Sequence, residues 1–101
     1  MTSAGRATIG VTHPNAHLAE LCRALGNPVR LAILRYLRTQ REFRTCGEIV
    51  AQIPRAQSTV SRHLKVPKAA GFVVSEAEPP HVRYGVTLGA VEEFQRLLAT
   101  L

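Results

Sequence analysis

The sequence predicts a mainly α-helical domain with one small β-hairpin, in the element order α-α-α-α-β-β-α. Three observations carry this expectation. Apolar residues recur at helical spacing in four successive stretches, the period turns strand-like over residues 72–87, and a last helical stripe closes the chain. A length of 101 residues fits one domain of this kind and excludes a two-domain enzyme or a large barrel. Hydrophobic content of 46% excludes wholesale disorder. No apolar run reaches the roughly 20 residues of a membrane span, and no N-terminal stretch has a signal-peptide layout. The two cysteines, Cys22 and Cys46, do not form a secreted disulfide framework. The expectation is a cytoplasmic protein with reduced thiols and no membrane partner.

Residues 1–12 are small and polar and read as a flexible tail, leaving 13–101 as the folded domain. In the first helix Leu18, Leu21, Cys22 and Leu25 fall at i, i+3, i+4 and i+7, and Gly26 ends it. Asn27-Pro28 starts the second: Asn is a preferred cap, and Pro at the first helical position misses no bond. This helix buries Ile33, Leu34 and Leu37 with Leu31 alongside, then gives way to a charged loop from Gln40 to Arg44. Thr45 and Glu48 have capping-box spacing for a short helix through Ile49, Val50 and Ile53, which Pro54 stops. After the turn Pro54-Arg55-Ala56, the segment Gln57 to Lys65 places Val60 and Leu64 on one face and polar residues on the others. Past Gly71, the strands Phe72–Glu76 and Arg83–Thr87 flank Glu78-Pro79-Pro80-His81. Thr87 is positioned to cap a last helix with Leu88, Val91, Phe94, Leu97, Leu98 and Leu101 on one stripe.

Thirteen Lys and Arg against seven Asp and Glu give +6, and the excess is uneven. Residues 27–45 carry +4 and residues 46–75 carry +3, whereas residues 76–101 carry −2. From Ile49 to Ser75 there is no acid, yet Arg55, Arg62, His63, Lys65 and Lys68 lie there among hydroxyl side chains. A solvated cationic face has that composition, and so has a surface built for phosphates. Two short helices around a tight turn, the second polar and basic, form a helix-turn-helix, and the hairpin after them makes a winged helix-turn-helix.

The chain resembles the ArsR/SmtB family of bacterial metal-responsive winged-helix repressors. The likeness is carried by Ala24-Leu25-Gly26-Asn27-Pro28-Val29-Arg30-Leu31-Ala32-Ile33-Leu34 and by Gln57-Ser58-Thr59-Val60-Ser61-Arg62-His63-Leu64-Lys65-Val66. Ala70-Gly71-Phe72-Val73 and a wing ending in Arg83-Tyr84 extend it over roughly residues 15 to 101. The resemblance implies a homodimer, held by the first and last helices, on double-stranded operator DNA near a promoter. It also implies a repressor, since most members let go of DNA when a metal ion or other effector binds.

The chemistry of the side chains suggests roles on that DNA. Gln57 can pair bidentately with adenine, and Ser58, Thr59 and Ser61 serve base edges or phosphates. Arg62 and His63 follow one turn later, to read guanine or clamp the backbone, with His63 equally a plain surface residue. Lys65 and Lys68 suit phosphate, and Arg83 on the wing suits the minor groove or its backbone. The stripes Leu18, Leu21, Leu25 and Val91, Phe94, Leu97, Leu98 exceed what so small a core covers, so they are the candidate dimerisation surface. Pairing them across a two-fold axis sets two reading helices about 34 Å apart.

The chain departs from the family pattern at several points. Pro67 stands where Leu is usual and is expected to bend or break the reading helix near Val66. Ala56 leaves that helix without its usual Ser cap. Glu48 replaces the second thiol of the Cys-x-Cys pair found at the start of the third helix in arsenic- and cadmium-sensing members, and the last helix lacks the zinc ligands of others. The remaining metal candidates are His13, His17, Cys22 and Cys46. His13 and His17, four apart, suit Ni, Zn or Cu, and the thiols suit a thiophilic metal or metalloid. Cys22 on the apolar stripe reads as a buried, inert thiol, whereas Cys46 at a helix start is expected to have a lowered pKa. The effector stays open: a metal, a thiol redox switch, or none. No enzyme motif is present, and a protein-binding winged helix is the alternative from another class.

Overall fold

In the computed structural model the described residues are 13–101, with side chains from Asn15 onward. The tail expected over residues 1–12 and the side chain of His13 lie outside them. The elements are α1 (His13–Leu25), α2 (Pro28–Arg38), β1 (Arg44–Thr45), α3 (Cys46–Gln52), α4 (Gln57–Ala69), β2 (Val73–Glu78), β3 (His81–Val86) and α5 (Leu88–Leu98). This is the expected order with one added strand. Arg44 and Thr45, read from sequence as the end of a charged loop and a cap, also pair with Tyr84 and Arg83 of β3, giving an antiparallel sheet in the order β1-β3-β2. The turn between β2 and β3 is Pro79-Pro80.

The local signals set most helix ends. The Asn27 side chain accepts from the Val29 and Arg30 amides at 2.8 and 3.3 Å, so α2 begins where its cap stands. Thr45 accepts from the Glu48 amide at 3.2 Å while the Glu48 carboxylate accepts from the Thr45 amide at 2.9 Å, completing the capping box of α3. Ile53 leaves the helical region ahead of Pro54. Thr87 occupies the cap position of α5, but its hydroxyl makes no capping bond and is buried without a partner, while its amide donates to the Phe72 carbonyl at 2.9 Å. The main chain of the neighbouring strand, not the helix, decides how Thr87 is held.

The break expected at Pro67 does not occur. Helix α4 runs through it to Ala69, and the ring is fully buried. Pro67 lies within the last turn, where the helix is already being closed by other bonds. The Phe72 amide donates to the Pro67 carbonyl at 2.9 Å and the Gly71 amide to the Lys68 carbonyl at 3.1 Å, with Gly71 at φ 91°. That is a Schellman closure, which needs a glycine in the left-handed region. The lost amide therefore removes one bond near an end and the ring fills core space.

One core joins the five described helices and the sheet: Leu21, Ala24 and Leu25 from α1, Ile33, Leu34 and Leu37 from α2, then Ile49, Ile53, Val60, Leu64, Phe72, Val73 and Val91. The Phe72 ring meets that of Phe94 edge to face, with centroids 5.5 Å apart. The buried stripe of α1 is Leu21, Ala24 and Leu25, which rotates Cys22 out to solvent and corrects the expectation of a buried thiol. Leu31, expected alongside the core, is exposed. Three residues of the candidate dimer surface, Leu21, Leu25 and Val91, are buried in their own protomer and leave little area for a partner. Leu18, Phe94 and Leu97 are half-buried and Leu98 is exposed, beside exposed Leu88 and Leu101. At Gly85, opposite Val74, an added Cβ would overlap the Phe43 ring, so the sheet there requires glycine.

Candidate nucleic-acid interface

Helix α4 is buried on one face and exposed on the other. Val60, Leu64 and Pro67, at i, i+4 and i+7, are sunk into the core. This turns Gln57, Ser58, Arg62, Lys65 and Lys68 to solvent, with Thr59 and Ser61 half-buried at the edges. Ser58, Arg62 and Lys65 share one row along the helix, and Ser61, Lys65 and Lys68 the next. The turn before it exposes Arg55 as well. Most of the predicted reading residues are thus brought together on one acid-free surface.

Two predicted contacts are placed otherwise. His63 is half-buried and turns towards α2, where its Nδ1 lies 3.4 Å from Arg30 Nη1. Partial burial and the charges of Arg30 and Arg62 hold its pKa below the ordinary histidine value. Arg83 of β3 has its Nε 3.0 Å from Glu78 Oε1, an ion pair made off hydrogen-bond angle. With Glu76 and Glu78 on β2, the wing is less cationic than Arg83 alone suggests.

An open cleft of about 370 Å³ separates the front of α4 from the wing, with Gln57 on one side and His81 and Tyr84 on the other. Cys46 also lines it, its thiol directed to the Gln57 carbonyl at 3.9 Å. Burial pushes this thiol up from the usual value, which overturns the lowered pKa expected of a helix start. Burial and then the neighbouring Cys46 raise the Tyr84 hydroxyl too. A thiol reagent at neutral pH is expected to modify exposed Cys22 well before Cys46, as read by peptide mass spectrometry. Only thiolate reacts, so Cys46 should speed up as pH rises beyond the ordinary thiol range. Labelling of Cys46 first would show that its surroundings do not suppress ionisation.

Of the metal candidates, the His13 side chain lies outside the described residues, and His17, Cys22 and Cys46 do not converge. His17 Nε2 faces Glu93 Oε1 at 3.5 Å across α1 and α5, while Cys22 and Cys46 are on different elements. Among the described residues no three His, Cys, Asp or Glu side chains converge to hold an ion. The described residues therefore do not fit a ready three- or four-ligand site. The residue sequence reasoning undervalued is Arg30, placed on a polar helix edge. Nothing local marks it, because its partners lie on two other helices.

A helix-turn-helix domain family matches residues 25–76. The chain is similar to an uncharacterized HTH-type transcriptional regulator of Methanocaldococcus jannaschii, 32% identical over 83 residues that cover 82% of this chain and 92% of the relative. It is also similar to the HTH-type transcriptional repressor SmtB of Mycobacterium tuberculosis, 45% identical over 65 residues, or 64% of this chain and 47% of the repressor. The match thus spans about half the length of that repressor. Among solved structures, an ArsR-like transcriptional regulator from Rhodococcus sp. RHA1 superposes with a TM-score of 0.73 at 25% identity, covering 84% of this chain and 78% of that one.

Proposed function

Because the chain belongs to the ArsR/SmtB family of winged helix-turn-helix transcriptional regulators, we propose that it represses transcription as a homodimer on operator DNA. The carrying observation is the α4 surface, where Gln57, Ser58, Arg62, Lys65 and Lys68 are exposed together over a buried apolar face. In this reading α4 enters the major groove with Gln57, Ser58, Thr59, Ser61 and Arg62 at base edges and nearby phosphates. Lys65 and Lys68 neutralise phosphates, and Arg83 exchanges Glu78 for the DNA backbone.

The dimer draws support from the partly or fully exposed Leu18, Leu88, Leu98 and Leu101, with Phe94 and Leu97 beside them. A second copy related by a two-fold axis covers apolar surface that the protomer leaves to water. Repression is supported by the name of the Mycobacterium tuberculosis relative. This reading names no effector.

Arg62→Ala tests it. If Arg62 reads a guanine, each half-site loses about 1–3 kcal/mol while the dimer persists. Fluorescence anisotropy on a duplex selected by the wild-type protein gives the affinity, and sedimentation gives the dimer. Unchanged affinity with an intact dimer would remove Arg62 from the reading surface.

A further inference from the structure

Arg30 connects three helices. Its Nε donates to the Ala24 carbonyl at 2.8 Å and its Nη2 to the Arg23 carbonyl at 3.0 Å. These carbonyls close α1, where a cation complements the helix dipole, and the Arg23 carbonyl also accepts from the Gly26 amide at 3.2 Å. Its remaining nitrogen, Nη1, meets His63 Nδ1 on α4 at 3.4 Å. As a hydrogen bond this contact requires Nδ1 as the acceptor and the ring proton on Nε2, because a guanidinium cannot accept. Partial burial, then the charges of Arg30 from α2 and Arg62 from α4 itself, oppose protonation of this imidazole and so favour the neutral ring that the contact needs.

We infer that Arg30 is a positioning residue for the reading helix, fixing the orientation of α4 against α1 through His63. His63 then supports the reading face from behind and does not itself read bases. The inference rests on the operator-DNA reading above. The buried contacts of Val60, Leu64 and Pro67 hold α4 to the core, but apolar contact is non-directional and tolerates a small rotation. A planar guanidinium anchored on two carbonyls does not. Hydrogen bonds to base edges are lost over small changes of angle, whereas flexible lysines follow a phosphate. Loss of the Arg30 bracket should therefore reduce sequence discrimination and spare general affinity.

The test uses the full chain on a duplex selected by the wild-type protein and on a scrambled duplex at the same salt. Arg30→Lys keeps the charge and loses the fork. It is expected to weaken binding to the selected duplex about tenfold, the scale of one directional interaction. Binding to the scrambled duplex should stay within about twofold, because phosphate neutralisation is unchanged. His63→Asn places an acceptor near the Nδ1 position and should retain discrimination. His63→Gln places its polar end near Nε2 and should lose it as Arg30→Lys does. Nitrogen-15 spectra of the imidazole should show the Nε2–H tautomer in the wild type and a mixture in Arg30→Lys.

Equal losses on both duplexes, or none, would overturn the role of Arg30. Retention by His63→Gln with loss in His63→Asn would make His63 a reader through Nε2. If Arg30→Lys does not fold, the two His63 variants decide the matter. Failure of the wild type to select any duplex would instead remove the DNA reading, a separate outcome.

Discussion

Raising salt from about 50 to about 200 mM is expected to weaken operator binding by a factor on the order of 10³ to 10⁵. The cause is the release of counterions condensed on DNA when cationic side chains replace them. Each protomer exposes Arg55, Arg62, Lys65 and Lys68 on or beside α4, and no acid lies between Ile49 and Ser75 to offset them. A dimer making about 6–10 phosphate contacts gives a slope of log K against log salt of about −5 to −9. The wing pulls the other way, since Glu76 and Glu78 outnumber Arg83 there, which favours the shallower end of that range. A scrambled duplex should show a similar slope at lower affinity, because phosphates carry no sequence. A flat line on both duplexes would sink the nucleic-acid reading and leave a protein-binding winged helix.

Phe72→Ala is expected to lower folding stability by about 3–5 kcal/mol, the usual range for deleting a buried aromatic ring. Phe72 is fully buried and stands where α4 gives way to β2. Its amide closes α4 on the Pro67 carbonyl, its carbonyl receives the Thr87 amide at the start of α5, and its ring packs edge-on against Phe94. Truncation leaves the backbone bonds but opens a cavity among three elements. Against a total stability of about 5–15 kcal/mol, such a loss brings the domain close to unfolding at physiological temperature. Urea denaturation at one fixed protomer concentration measures it, since dimerisation couples stability to concentration. Phe94→Ala should cost less, because that ring is half-buried. A loss below about 1 kcal/mol for Phe72→Ala would mean that the core closes over the gap, contrary to what a close-packed interior allows.

The α-helical framework and the polar face of α4 were legible because their signals are local. Asn27, the Thr45–Glu48 box, Pro54 and Gly71 each act within a few residues of a helix end. Val60 and Leu64 assign the faces of α4 by period alone. Strand β1 was not legible: two residues carry no period, and their pairing with Tyr84 and Arg83 is a long-range choice. Pro67 misled for a related reason. A proline inside a helix forbids one bond wherever it stands, but its burial and the closure by Gly71 and Phe72 settle the outcome.

Charge and thiol chemistry followed the same division. Counting residues located an acid-free basic segment, whereas His63 facing Arg30, Arg83 facing Glu78 and Cys46 lining the cleft depended on neighbours distant in sequence. Cys22 and Leu21 share the sequence-level stripe of α1, yet one is exposed and the other buried, because helix rotation is set by what packs against it. The sequence by itself determined most helix starts, the winged helix-turn-helix order and the polar face of α4, since caps and periodicity are written within one or two turns. Only the tertiary structure decided which side chains on those elements remain free to meet DNA, because burial and pairing depend on contacts such as Arg30 with His63, made across 33 residues of chain.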